Sequence, residues 1–160
     1  MRYVTLSELI YINGRLLNND QIMTGKRKVR DVELLDAAAM RPAASAFGAD
    51  AFPTLRDKAA ALLHAVARNH PFADGNKRTA TVAALFMLRV NGERAVWQPA
   101  DALAMILSAA EGRIEVDALA GWFPLEPCPP LPDADLDTDT RLIADLLLEH
   151  KALLDELALQ

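Results

Sequence analysis

Between Thr79 and Val90 the chain is apolar on nearly every side, with Ala80, Val82, Ala83, Ala84, Leu85, Phe86 and Leu88 falling all round a helix rather than along one stripe. A helix with so little polar surface belongs at the centre of a bundle, and the rest of the chain has to wrap it. The wrapping segments are readable. Thr5-Leu6-Ser7-Glu8 has the form of a capping box, and Leu6, Leu9, Ile10, Leu16 and Leu17 follow at helical spacing, which predicts a helix over 5–18. Asp31 can cap a second helix through Met40, with Leu34, Leu35 and Ala38 inward and Pro42 as its stop. Thr54 caps a third from Leu55 to Asn69, with a buried stripe of Ala59, Leu62, Leu63 and Val66. Asn91-Gly92 ends the central helix, residues 100–110 and 116–123 give two more, and Pro124 closes the last. Ala and Leu dominate while β-branched and aromatic residues are few, so the fold class is all-α.

Two stretches depart from this pattern. Residues 18–30 lose periodicity: Asn18-Asn19-Asp20 and Thr24-Gly25 are turn formers, and Lys26, Arg27, Lys28 and Arg30 add positive charge. This predicts a loop or short hairpin longer than packing requires. Further on, Pro127, Pro129, Pro130 and Pro132 run into Asp133, Asp135, Asp137 and Asp139, a stiff acidic linker over 126–139. A final amphipathic helix follows over 140–160, with Leu142, Ile143, Leu146, Leu147, Leu153, Leu154 and Leu157 on one side. That side has to pack on the chain's own bundle or on a second copy. A sharper alternative is regulation, with the acidic helix covering the basic loop or the residue 70–78 run.

Net charge is −5, but residues 133–160 hold eight Asp/Glu against two Lys/Arg, so the remainder is close to neutral. This balance argues against direct nucleic-acid binding. No apolar run is long enough to span a bilayer, the start lacks the shape of a signal peptide, and Cys128 is the sole cysteine; a cytoplasmic protein is expected.

The chemistry is concentrated in His70-Pro71-Phe72-Ala73-Asp74-Gly75-Asn76-Lys77-Arg78, which lies where one helix ends and the central one begins. A helix N-terminus is a ready anion site. His70 has an intrinsic pKa near neutrality, which suits a general base. Asp74 is a candidate magnesium ligand, since that ion keeps most of its waters and takes one or two carboxylates plus phosphate oxygens. Gly75 and Asn76 allow a tight turn whose N–H groups converge on an anion. Lys77 and Arg78 supply charge, as a point and as a fork. Phe72 is the anchor that pins the loop to the core. Singly, each has a bland reading: a loop His, an N-capping Asp, a solvated Lys-Arg pair. Together, two cations in a first turn oppose the helix dipole, which is tolerated more readily when an anion binds there.

The run resembles the signature of the Fic/Doc proteins, His-x-Phe-x-(Asp/Glu)-Gly-Asn-x-Arg, and matches it at His70, Phe72, Asp74, Gly75, Asn76 and Arg78. Leu6-x-Glu8, Arg30-Asp31, Leu34-Leu35, Arg41-Pro42, Phe47-Gly48 and Asn91-Gly92 extend the likeness to the Doc (death-on-curing) branch, so that residues 1–125 look like a Fic/Doc catalytic domain. Fic adenylyltransferases usually carry Gly where this chain has Lys77 and a second Arg where it has Thr81. The resemblance therefore implies a Doc-type kinase, with ATP bound in the reversed sense and its γ-phosphate at the reactive point. Gly75 is a departure, since Doc-type kinases often have Ala there, and it leaves AMP transfer open as the alternative. By the same resemblance His70 deprotonates a target Ser or Thr, Asp74 holds Mg2+, and Gly75, Asn76, Lys77 and Arg78 bind phosphates. Gly25, Lys26, Arg27 and Lys28 belong to a flap that positions the target segment as an added strand. The implied setting is a toxin–antitoxin pair: a protein substrate in the translation machinery, such as an elongation factor, arrested growth, and an antitoxin bound through a helix. A member that only binds nucleotide or a partner, or a plain helical interaction module, are the rivals from other classes.

Overall fold

The computed structural model describes residues 1–18 and 29–160. Its elements, in order, are α1 (Leu6–Leu16), α2 (Val32–Met40), a 3-10 turn (Arg41–Ala43), β1 (Ser45–Ala46), β2 (Ala49–Asp50), α3 (Leu55–Asn69), α4 (Asn76–Val90), β3 (Glu93–Ala95), α5 (Pro99–Ala110), α6 (Val116–Trp122), β4 (Leu125–Pro127), α7 (Leu136–Glu149) and α8 (Lys151–Ala158). The fold is all-α, and its strands are short antiparallel pairs, β1 with β2 and β3 with β4. The flap residues Gly25, Lys26, Arg27 and Lys28 lie outside the described residues.

The central helix is α4, as its sequence requires. From Thr79 to Leu88 every residue is buried. It packs on α3 along its length, and α1, α5, α7, α8 and β3 close round it. Alanines at 59, 60, 80, 83 and 84 are fully buried, and such small side chains let neighbouring backbones approach closely. The capping boxes form at Thr5/Glu8 and Thr54/Asp57, and Asp31 caps α2 through the N–H of Leu34.

The carboxy-terminal third differs from expectation. Part of the expected linker is structure: β4 pairs with β3, the N–H of Cys128 donates to Gly92 O at 3.0 Å, and that of Leu131 to Val90 O at 2.9 Å. The tail helix starts at Leu136, capped by Asp135, and divides at His150 into α7 and α8. Asp139, one of the acids assigned to the linker, is buried and receives both arms of the Arg2 guanidinium, at 2.5 and 3.1 Å. Helical periodicity continues through the break, so periodicity alone could not reveal it. His150 turns inward instead, its ring edge-on to Trp97 at 5.7 Å between centroids, where Trp97 also stacks on Trp122 and Phe123. The apolar side of the tail, including Leu142, Ile143, Leu146, Leu153, Leu154 and Leu157, packs into the chain's own core.

Candidate active site at the start of the central helix

The site is the turn between α3 and α4. His70 ends α3 in the left-handed conformation, with φ 50° and ψ 57°. This is unusual for a residue with a side chain and needs outside support. Arg30 provides it: its Nε donates to His70 O at 2.7 Å and a terminal nitrogen donates to Asn69 O at 3.0 Å, tying down the last carbonyls of α3. The N–H groups of Arg30 and Asp31 both donate to Pro71 O, at 2.8 and 3.0 Å, and Val29 pairs with Phe72 in an antiparallel bridge. Phe72 is 1% exposed and packs in the hydrophobic core.

Two asparagines hold the rest of the turn. The side chain of Asn76 accepts from Phe72 N at 2.8 Å and donates to Phe72 O at 2.9 Å, closing a ring over the loop. With both ends of its amide engaged, what Asn76 offers a phosphate is its backbone N–H. Asn13, fully buried on α1, donates to Asp74 O at 2.9 Å and to the Thr79 hydroxyl at 3.1 Å. Sequence reading passed over Asn13 as a site residue. Its signal was a lone amide among apolar neighbours on the inward face of α1. Arg30 reads from sequence as one of the loop's positive charges and as part of the resemblance, not as the clamp on His70.

Gly75 is the N-cap of α4, at φ 75°, and supplies no side-chain cap. The first-turn N–H groups of α4 are therefore left to face an anion. A Cβ at Gly75 would lie 3.2 Å from Leu17 Cδ2 and 3.3 Å from Asn13 Nδ2, on the α1 side of the turn. Lys77 and Arg78 sit half-buried in that first turn. Arg78 meets Asp74 loosely, at 3.7 Å, an exposed contact weak enough to be exchanged for a phosphate.

Asp74 is 74% exposed on its side chain. Its Oδ1 accepts from Gly75 N at 2.7 Å, and its second oxygen has no hydrogen bond among the described residues. One hard, open carboxylate beside a helix N-terminus and two cations fits magnesium, which needs no all-protein cage. Among the described residues, no three His, Cys, Asp or Glu side chains converge as a fuller metal centre would need.

The pKa of His70 is lowered, first by partial burial and then by repulsion from Lys77, Arg30 and Arg68. The imidazole is thus neutral around pH 7 and free to accept a proton. On the far side, Leu157, Ala158 and Gln160 at the end of α8 join Asp74–Arg78 around a cavity of about 50 Å3. The tail does border the motif, with Leu157, Ala158 and Gln160 at this cavity and with Asp155 beside Arg78 in a neighbouring one.

The sequence pattern described as the Fic/DOC family matches residues 3–88, more than half the chain, and its stretch contains every residue placed at this turn. The chain belongs to the Fic/DOC family. Over 68 residues it is 60% identical to Toxin Doc of Mycolicibacterium smegmatis (strain ATCC 700084 / mc(2)155), which sets it on the Doc branch. That match covers 42% of this chain and 52% of the relative, so the chain spans about half the length of the curated protein it resembles. Among the described residues, no helix is long and apolar enough to cross a membrane.

Proposed function

We propose that the chain is a Doc-type toxin that moves the γ-phosphoryl group of ATP to a Ser or Thr hydroxyl of a translation factor, in the cytoplasm, under the control of an antitoxin. The observation that carries the choice of phosphate over AMP is the pairing of Lys77 with Thr81. Lys77 occupies the first turn of α4, where adenylyl transfer calls for the space a glycine leaves. Thr81 is fully buried, with its hydroxyl donating to Lys77 O at 2.7 Å, so position 81 offers outer phosphates no cation. Gly75, which resembles the Fic adenylyltransferases, also has a local reason to be glycine. Its left-handed backbone and its closeness to Leu17 and Asn13 account for glycine on local grounds.

In this reading His70 takes the proton from the acceptor hydroxyl. The acceptor oxygen forms its bond to the γ-phosphorus as the bond to the bridging oxygen breaks, and ADP departs. The α4 N–H groups, Lys77 and Arg78 hold the phosphates and stabilise charge in the transition state. Asp74 would hold magnesium, whose chemistry here is neutralisation of phosphate oxygens.

The test is to incubate the purified chain with bacterial lysate, magnesium and ATP labelled at either the α- or γ-phosphorus. Label from the γ position should appear on a protein and vanish with His70→Ala. Transfer of α-label instead would establish AMP transfer. Expression should arrest growth, and a growth arrest undiminished by His70→Ala would show that the chain acts by binding alone.

A further inference from the structure

A groove of about 320 Å3 lies between α2 and α3, lined by Arg41, His64, Arg68, Asn69 and alanines. Asn69 directly precedes His70, and Arg68 is close enough to help lower the pKa of the imidazole, so the groove lies near His70. Its two arginines are held in place by uncharged neighbours. Arg41 lies over the ring of Phe52, 5.0 Å from the centroid. Arg68 rests its guanidinium on Gly112, whose φ is 74°; a Cβ there would come within 2.8–2.9 Å of three guanidinium atoms. Any side chain at 112 would evict it.

Among the described residues neither guanidinium takes part in an ion pair. Of the acids close by in sequence, Asp50 pairs with Lys58 and Glu111 with Arg113, and Asp36, next to the groove-lining Ala37, pairs with neither arginine. His64 uses Nε2 on Ile114 O at 2.9 Å and serves as wall. Two guanidinium forks, one from each wall, are thus held ready without a carboxylate, in a chain whose net charge is −5. Such forks match carboxylates. The groove is several times larger than one oxyanion and open along its length, which suits an extended chain better than a free phosphate.

We propose that this groove receives an acidic segment of the acceptor protein, whose carboxylates pair with Arg41 and Arg68 while a nearby hydroxyl residue reaches His70. The proposal rests on the reading that His70 serves a protein hydroxyl, and it supplies that reading with a selectivity for acid-flanked Ser or Thr.

The test is fluorescence anisotropy with a labelled peptide of alternating Glu and Ala around one Thr, beside the same peptide with Gln for every Glu. The acidic peptide should bind, more weakly as salt rises, and the Gln peptide should not. Arg41→Gln and Arg68→Gln should each weaken binding roughly fivefold. Gly112→Ala should weaken it too, by moving the Arg68 guanidinium without removing its charge. Lys77→Gln should leave it nearly unchanged. Equal binding of both peptides, an unaffected double arginine variant, loss with Lys77→Gln instead, or displacement by equimolar inorganic phosphate would each overturn the proposal. Binding requires no nucleotide, magnesium or His70. A chain that binds the peptide yet transfers no phosphate would sink the kinase reading alone, whereas one that transfers phosphate yet ignores the peptide would sink the groove alone.

Discussion

Asn13→Leu should loosen the phosphate turn from behind. Asn13 is fully buried, and its Nδ2 supplies both Asp74 O and the Thr79 hydroxyl, while its own Oδ1 is buried without a partner. The amide cannot turn over to cure this, because Oδ1 would then face the carbonyl of Asp74, acceptor against acceptor. The native arrangement therefore contains one unsatisfied acceptor that leucine removes, worth about 1–3 kcal/mol. Against it, leucine takes the donor from two acceptors, each costing about 1–3 kcal/mol when left buried and unpaired. The net is a destabilisation of about 2 kcal/mol, or roughly 4–8 °C in melting temperature for a domain of this size. Asn13→Asp keeps the shape but sets a carboxylate against Asp74 O, so it should cost more than leucine. Thermal melts of the three proteins give the order, and hydrogen exchange gives the place: protection should fall at Gly75, Asn76 and Thr79 before the rest of α4. Magnesium-nucleotide affinity should drop in the same order. Melting temperatures unchanged within error, or equal losses for Leu and Asp, would refute the view that this side chain holds the loop.

Three further perturbations bear on the same framework. Lys77→Gln removes a like charge beside His70, so the imidazole pKa should rise; NMR titration of the ring should show a wild-type midpoint below about 6.5 and a higher one in the variant, with the acid limb of the activity profile moving the same way. Arg2→Ala strands Asp139, whose side chain is only 11% exposed, and should cost about 3–5 kcal/mol by urea denaturation, much of it regained when Asp139→Leu is added. His150 has its pKa lowered mainly by burial against Trp97, so the unfolded chain takes the proton first; stability should hold above pH ~6.5 and decline as pH falls below it, and His150→Phe should flatten that decline.

The helices were legible because their signals are local. Capping boxes, the apolar wrap of residues 79–88 and the stop at Asn91-Gly92 each depend on neighbours within a turn or two, and each appears where it was expected. The motif stands out for the same reason, since its imidazole, carboxylate and cations lie within nine consecutive residues. What stayed hidden depends on partners far along the chain. Glu126 and Pro127 read as the start of a linker, yet Leu125–Pro127 becomes a strand because Glu93–Ala95 offers it an edge. Phe47 and Gly48 both take positive φ to turn β1 into β2, a conformation that only the glycine advertises. Asp139 looked like one more solvated acid until Arg2, 137 residues away, closed on it.

The asparagines show how this divide reaches the site itself. Asn76 stands out from its place in the motif, yet its bracing of the loop could not be read, because the loop lies behind it and consumes its amide. Asn13 had no motif to mark it and does the complementary work from α1. Between them these residues and Arg30 bond to the backbone at Asn69, His70, Phe72 and Asp74. Among the described residues, the side chains that remain uncommitted in the turn are the His70 imidazole, one oxygen of Asp74, Lys77 and the loosely paired Arg78. Rigidity is thus supplied by amides and one guanidinium bonding main chain, which leaves the titratable and charged groups free for an incoming anion. Preorganisation of this kind requires no reorganisation at the moment of reaction, and it is what a reaction dependent on positioning and charge asks of its protein.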